Sequence, residues 1–279
     1  MDISLVIRTL NEEKNIGKCL DTVAQQTLMP KEIIITDNMS EDNTLKIVRT
    51  YQKKLPIRII NNPIIGFSSG LTLGIENAKY NYVAFLSADC KSQKNWLKNL
   101  ATCMQKEACA VAQGREVLAP ENIIHDVLNT EGSTASHPIQ INYFNYTNTL
   151  CDKKILQSFL PFRNDKKYLY GEDTLISIDY KKRGYSAFLV PAARVEHSKF
   201  ASKEDFQIRV FKHSRSSVRF FLLAPLHPRI YLNSEYWILK EFCMSVYKRD
   251  IRYLKVSFWR LTATVRGTIS GIYGLFINN

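Results

Sequence analysis

The sequence predicts an α/β protein on a mostly parallel sheet with helices on both faces. Three observations carry this. Apolar runs of strand length alternate with amphipathic runs of helix length across the first half of the 279 residues. Polar residues recur just past the carboxyl ends of the apolar runs, at Thr9, Asp37 and Asp89. Finally, a composition of 45% hydrophobic and 23% charged residues is that of a globular chain able to bury a large core.

The elements follow in order. Ile3 to Ile7 is a short apolar strand that runs into the polar loop Arg8-Thr9-Leu10-Asn11-Glu12-Glu13. A helix is predicted from about Asn15 to Gln26, then a second buried strand, Glu32 to Thr36, ending on Asp37. Ser40-Glu41-Asp42-Asn43 forms the N-cap region of a helix through about Tyr51. Pro56 breaks it, and Ile57 to Asn61 is a third strand. A glycine-punctuated helix, Phe67 to Ala78, leads to a fourth strand, Tyr82 to Leu86, which ends in Ser87-Ala88-Asp89. Helix Asn95 to Lys106 and strand Ala110 to Gln113 follow. From Ala119 to about Pro138 the periodicity weakens into a loop or insertion, and Asn142 to Cys151 reads as extended. Glu172 to Arg183 is predicted helical, closed by Gly184, with short strands at Ser186 to Val190 and Ala193 to Val195.

After Ser202 the character changes to basic, aromatic helices, so the expected division is 1–202 and a helical appendage at 203–279. Residues 205–279 hold twelve Lys/Arg and four Asp/Glu, which is +8 of the overall +12. Such a tail suits an anionic membrane surface, with nucleic acid the weaker reading. Ile251, Leu254, Phe258, Leu261 and Val265 make one apolar stripe flanked by Lys248, Arg252, Lys255 and Arg266. A helix of this kind either packs on its own domain or lies at an interface.

The start of the chain carries no basic n-region or long apolar run. The longest apolar runs, Phe220 to Pro228 and Gly267 to Ile277, fall short of a bilayer span. The six cysteines form no C-x-x-C pair or metal spacing, which suits a reduced compartment. The expectation is a cytoplasmic protein, soluble or peripheral on the inner membrane face.

If the strands lie in one open sheet, Thr9, Asp37 and Asp89 share the edge where ligands bind. A carboxylate after the second strand can hold a ribose or base, and one after the fourth can hold a divalent cation against a diphosphate. The competing role for either aspartate is helix capping. Trp96, Trp237 and Trp259 read as core or interface aromatics rather than sugar platforms.

The segments VIRTLNEEKNIGKCLDTVAQQT, EIIITDNMSEDNT, GFSSGLTLGIENAKYNYVAFLSAD and YGEDTLISIDYKKRGY resemble, in order and spacing, the family 2 glycosyltransferases over about Ile3 to His197. The resemblance implies a GT-A fold, a doubly wound mixed sheet that binds a nucleotide-diphospho-sugar. It implies that Arg8, Thr9, Leu10, Asp37, Asn38, Gly66 and Ser87 line the donor nucleotide site. Asp89 would match the last aspartate of the family's Asp-x-Asp motif and, with His197, hold a divalent cation (Mg²⁺ or Mn²⁺) on the diphosphate. Asp173, with Glu172 beside it, would match the general base, and inversion at the anomeric carbon is implied too. The acceptor would be a saccharide, such as a lipid-linked glycan in cell-surface polysaccharide synthesis.

Three departures stand out. Ser87-Ala88-Asp89 replaces Asp-x-Asp, as in rhamnosyltransferase-like members; Arg8 stands where proline is usual; Leu71-Thr72 replaces Arg-Asn. A rival in the same superfamily transfers sugar directly to a polyprenyl phosphate. A nucleotidyltransferase would open with a Gly-rich phosphate loop, and a dehydrogenase with G-x-G-x-x-G; neither is present. The non-enzymatic alternative is a membrane- or nucleic-acid-binding protein with a decayed transferase domain.

Overall fold

The computed structural model describes residues 1–64, 67–118, 135–160, 172–199, 202–223 and 251–277. The strands are β1 (Ile3–Thr9), β2 (Glu32–Asp37), β3 (Ile57–Asn61), β4 (Tyr82–Leu86), β5 (Cys90–Ser92), β6 (Val111–Leu118), β7 (Ile139–Ile141), β8 (Asn148–Asp152) and β9 (Ala187–His197). The helices are α1 (Ile16–Val23), α2 (Thr44–Tyr51), α3 (Phe67–Asn77), α4 (Trp96–Glu107), α5 (Lys153–Gln157), α6 (Glu172–Lys182), α7 (Lys203–Leu223) and α8 (Ile251–Ile277).

Among the described residues the strands form one sheet in the order β3-β2-β1-β4-β8-β6-β9-β5, with β7 on β9. Only the first half is parallel: β1 pairs in parallel with β2 and β4, and β2 with β3. β8 then runs antiparallel to β4 and to β6, and β9 antiparallel to β5 and β7. The sheet is mixed, as the resemblance implies, and the mostly parallel sheet expected from the alternation alone is corrected to it. Strand alternation sorts the core in two. Leu5, Ile7, Ile33, Ile35, Ala84 and Leu86 face α1, α2 and α4. Val6, Ile34, Val83 and Phe85 face α3, α5 and α6. Trp96 is fully buried in the first layer.

Other expectations shift for local reasons. The predicted pair of strands around Pro191 is the single strand β9, whose registers with β7 and β5 at 187–189 and 195–197 leave the proline between them. The extended run expected from Asn142 begins only at Asn148. Before it, the Asn145 and Ser177 side chains take the Thr147 and Phe144 N–H groups that a ladder would need. β6 runs on to Leu118, and β5, β7 and α5 had no sequence counterpart. α1 stops at Val23 because Gln25 and Gln26 bond back three residues rather than four. At α2 no Asn43 side-chain cap forms; Asp42 Oδ1 accepts the Thr44 N–H instead, at 2.9 Å. Gly66, Trp237, Cys243 and the 119–134 segment lie outside the described residues.

By its contacts the chain divides into two compact units. One comprises Met1–Val117, Ser133–Asp165 and Glu172–Ser198, and the other Leu118–Gly132, Lys166–Gly171 and Lys199–Asn279. The first holds the sheet. In the second, α7 and α8 run in the same direction: Gln207 Nε2 donates to Thr262 Oγ1 at 3.1 Å, and Lys203 sits over the Trp259 ring. Gly267 makes the close approach that this needs, since a Cβ there would lie 2.4 Å from the Phe211 carbonyl oxygen. The face of α8 against α7 is Tyr253, Val256 and Ala263. The predicted apolar stripe points the other way, to solvent.

Candidate functional site

Because β1, β2 and β4 are parallel, their carboxyl ends open on one edge, with Thr9 opposite Asp37. There the Thr9 hydroxyl donates to Asp37 Oδ1 at 2.7 Å, and Ser40 donates to the same carboxylate through its N–H (2.8 Å) and its hydroxyl (2.6 Å). Both residues are buried. The following loops lace together. Asn11 N donates to Ser40 Oγ and Glu41 N to Asn11 Oδ1, while Glu12 N and Glu13 N donate to Thr44 Oγ1 and Asp42 Oδ2. Asn11 and Met39 take left-handed φ values of 54° and 65° to make these turns.

Asn38 is buried beside them, its side-chain oxygen accepting from Asn62 Nδ2 at 2.9 Å, and Asn62 also reaches Ser69 Oγ. Arg8 crosses the first turn of α3 at Gly70, where a Cβ would come within 2.9 Å of Arg8 Cγ and 3.1 Å of Asn38 Oδ1. Leu10 is solvent-facing at the rim.

The Ser87-Ala88-Asp89 segment leaves β4 on this edge as a turn. Ser87 N donates to the Thr147 carbonyl at 2.8 Å, and the Ser87 carbonyl accepts from Cys90 N at 3.0 Å. Asp89 is then held against the end of β9, its carbonyl taking the Ser198 N–H and Cys90 pairing with His197. His197 lies between two carboxylates: Nε2 is 3.1 Å from Asp89 Oδ2, and Nδ1 is 2.9 Å from Glu116 Oε2. The other Glu116 oxygen accepts from Asn145 Nδ2 at 3.1 Å.

Among the described residues, ligand atoms of Asp89, Cys90 and His197 lie within 4.8 Å of one another. Two neighbouring ligands of an octahedral cation, each about 2.1 Å from it, lie about 3 Å apart, which the Asp89–His197 separation of 3.1 Å matches. One carboxylate and one imidazole fit Mn²⁺ better than Mg²⁺, which keeps to oxygen ligands. Glu116 on Nδ1 is the carboxylate–imidazole pairing that orients a metal-binding histidine. Below the site the Cys19 thiol is pushed far up, first by burial and then by the Asp89 and Glu12 carboxylates, so it stays protonated.

Asp173 stands half-buried in the first turn of α6. The Ser177 hydroxyl donates to its carbonyl at 2.7 Å and accepts from Phe144 N at 3.1 Å. Tyr146 packs edge-on to Phe85 of β4, with ring centroids 5.0 Å apart, and to Phe144. Its phenol is pushed well up, chiefly by burial, with Tyr180, Cys151 and the Asp173 charge adding smaller effects. The segment from Phe144 to Thr147 thus touches α6, Ser87 and Glu116 together.

The structure brings Arg8, Thr9, Asp37 and Asn38 into one polar cluster and Asp89 and His197 into another, with Ser87 bonded to the segment that reaches α6. The Glu172 side chain and Gly66 lie outside the described residues. Sequence reasoning missed Glu116, Asn145, Asn62 and Ser69. Glu116 meets His197 across 81 positions, and the strand expected to end at Gln113 left it outside every expected element. A longer strand prediction was the one signal that could have found it.

The glycosyl transferase family 2 model matches residues 4–161. The glycosyltransferase AglE of Haloferax volcanii is 35% identical over 102 residues, 34% of this chain and 33% of that protein, so the match spans about a third of that relative's length. An Escherichia coli protein, the UDP-Glc:alpha-D-GlcNAc-diphosphoundecaprenol beta-1,3-glucosyltransferase WfaP, is 25% identical over 188 residues, 66% of this chain and 72% of it. Among solved structures, the mannosyltransferase PcManGT of Pyrobaculum calidifontis, in complex with GDP-Man and Mn²⁺, superposes with a TM-score of 0.67 at 14% identity. That match covers 95% of this chain and 86% of that one, a likeness of GT-A fold.

Proposed function

This chain belongs to glycosyl transferase family 2, and from that premise we propose that it moves a sugar, with inversion, from a nucleotide-diphosphate donor to the hydroxyl of a lipid-linked saccharide in polysaccharide assembly. The observation that carries this reading is the Asp89–His197–Glu116 chain, set at the sheet edge that also gathers Arg8, Asp37 and Asn38. The named activity of WfaP, with a diphosphoundecaprenol-linked acceptor, supports the acceptor class.

In the proposed reaction the donor nucleotide lies against Arg8, Leu10, Asn38 and the laced loops, with Thr9 and Asp37 beneath it. Gly66 and Ser87 complete that set. Asp173 accepts the acceptor hydroxyl proton as its oxygen attacks the anomeric carbon and the bond to the diphosphate breaks. The N-terminus of α6 favours the ionised carboxylate that this requires. Glu172 stands next to it in the chain. Asp89 and His197 would hold a divalent cation, which when bound would screen the departing diphosphate. Arg8 supplies fixed positive charge on the same edge. A lipid-linked acceptor and a C-terminal region of net +8 together support a peripheral position on the cytoplasmic membrane face.

Calorimetric titration with UDP, dTDP, GDP and CMP, with and without Mn²⁺ or Mg²⁺, tests the donor half of this reading. One nucleoside diphosphate should bind, more tightly with the cation, and Asp89→Ala should abolish the cation's effect. Absence of binding under every condition would overturn the reading in favour of a non-catalytic protein. Analysis of the product then separates a glycosidic bond from the glycosyl phosphate that transfer to a polyprenyl phosphate would give.

A further inference from the structure

The face of α8 opposite α7 carries Ile251, Leu254, Phe258, Leu261, Val265 and Ile269, each between 42% and 64% exposed. Large apolar side chains that continue along about 27 Å of helix mark an interaction surface rather than ordinary scatter. The helix carries four cations, Arg252, Lys255, Arg260 and Arg266, and no carboxylate. Lys255 and Arg266 are exposed and lie on the same border of the stripe.

We propose that this stripe is the surface by which the chain lies on an anionic bilayer, with α8 in the plane of the headgroups and Lys255 and Arg266 on lipid phosphates. The inference rests on the peripheral placement proposed above and assigns it to named side chains. The 3-4-3-4 spacing from Ile251 to Val265 also suits a coiled coil with a second copy, but burial disfavours it: two of the positions that would flank such a seam, Ser257 and Thr264, are buried. The cations of α8 meet no carboxylate on their own helix, and an anionic lipid surface offers that negative charge. Among the described residues no helix is long and apolar enough to cross a membrane, so the stripe is matched to lying on a bilayer rather than spanning it.

The test is sedimentation of the full chain with phosphatidylcholine vesicles, with and without phosphatidylglycerol. It compares the parent protein with Phe258→Ser/Leu261→Ser and with Lys255→Glu/Arg266→Glu. The parent should partition about tenfold more strongly to the anionic vesicles, and less so at high salt. The serine pair should lose binding to both vesicles, and the glutamate pair only the anionic preference. Because the changed residues are surface-exposed, thermal melting and nucleotide titration should match the parent's. Equal sedimentation of parent and serine variant would overturn the proposal. So would a parent that ignores vesicles yet is a dimer that the serine pair dissociates, which would assign the stripe to a second copy. Transfer to a water-soluble acceptor, assayed in parallel, separates the two readings: activity without vesicle binding sinks only the membrane surface, and vesicle binding without activity sinks only the transferase.

Discussion

His197 meets Asp89 with one ring nitrogen and Glu116 with the other, so in the proposed cation site Glu116 is a positioning residue that acts through the ring. Glu116→Ala should weaken cation-assisted nucleotide binding about 10- to 100-fold. Affinity measured in the presence of a chelator should stay unchanged, and calorimetry in the two conditions reads the difference. Glu116→Gln, which keeps an acceptor oxygen for Nδ1–H, should recover most of the loss; equal loss in both variants would argue for a direct role of the carboxylate. In the proposed reaction Asp173 serves the other half, proton transfer from the acceptor. Asp173→Asn should leave nucleotide affinity intact and lower turnover by about 10²- to 10⁴-fold. Retained turnover would move the base to Glu172 or elsewhere.

At the scale of the element, the parallel half of the sheet is tied at its amino end by Glu32. Its carboxylate accepts from Ser4 Oγ at 2.8 Å, Lys79 N at 2.6 Å and Arg58 at 3.3 Å. Burial pushes the carboxyl up, but the hydrogen bonds from Lys79, Ser4 and Arg58 and the Arg58 charge outweigh it and hold the group below its ordinary value. A carboxyl depressed on folding stabilises above its unfolded pKa, and that stability is lost as pH falls through the folded one. Glu32→Gln should therefore lower the urea midpoint at neutral pH, and the gap to the parent should close as the solution is acidified below the ordinary carboxylate range. A gap constant with pH would show that the residue acts by packing alone. Glu32 was read from sequence only as the start of a strand, because its three donors come from residues 28, 47 and 26 positions away.

At the scale of the whole molecule, the two units have separate cores, the two layers of the sheet and the cluster around Phe206, Tyr253 and Val256. Gly267→Ala would force a Cβ to within 2.4 Å of the Phe211 carbonyl. Overpacking of this kind costs about 1–3 kcal/mol, and here it falls on the α7–α8 pair. Hydrogen exchange should show amides of α7 and α8 losing protection while those of β1, β2 and β4 do not, with nucleotide affinity unchanged. Loss of protection in both units together would mean that they unfold as one.

Sequence alone determined the elements of the parallel half, since strand alternation and helical periodicity are local: β3 and β4 fall at their expected limits, and β1, β2 and α4 within two residues. It also determined which strand ends carry Thr9, Asp37 and Asp89, because parallel pairing puts those ends on one edge whatever the details. Tertiary structure decided what pairing across long separations decides. It set the antiparallel half of the sheet and brought Glu116 and Asn145 to His197. It also decided which face of α8 meets α7. There periodicity identified an apolar stripe but not its direction: the face that carries Tyr253, Val256, Ala263 and Gly267 packs inward, where Gly267 permits the close approach, and the stripe is left in water.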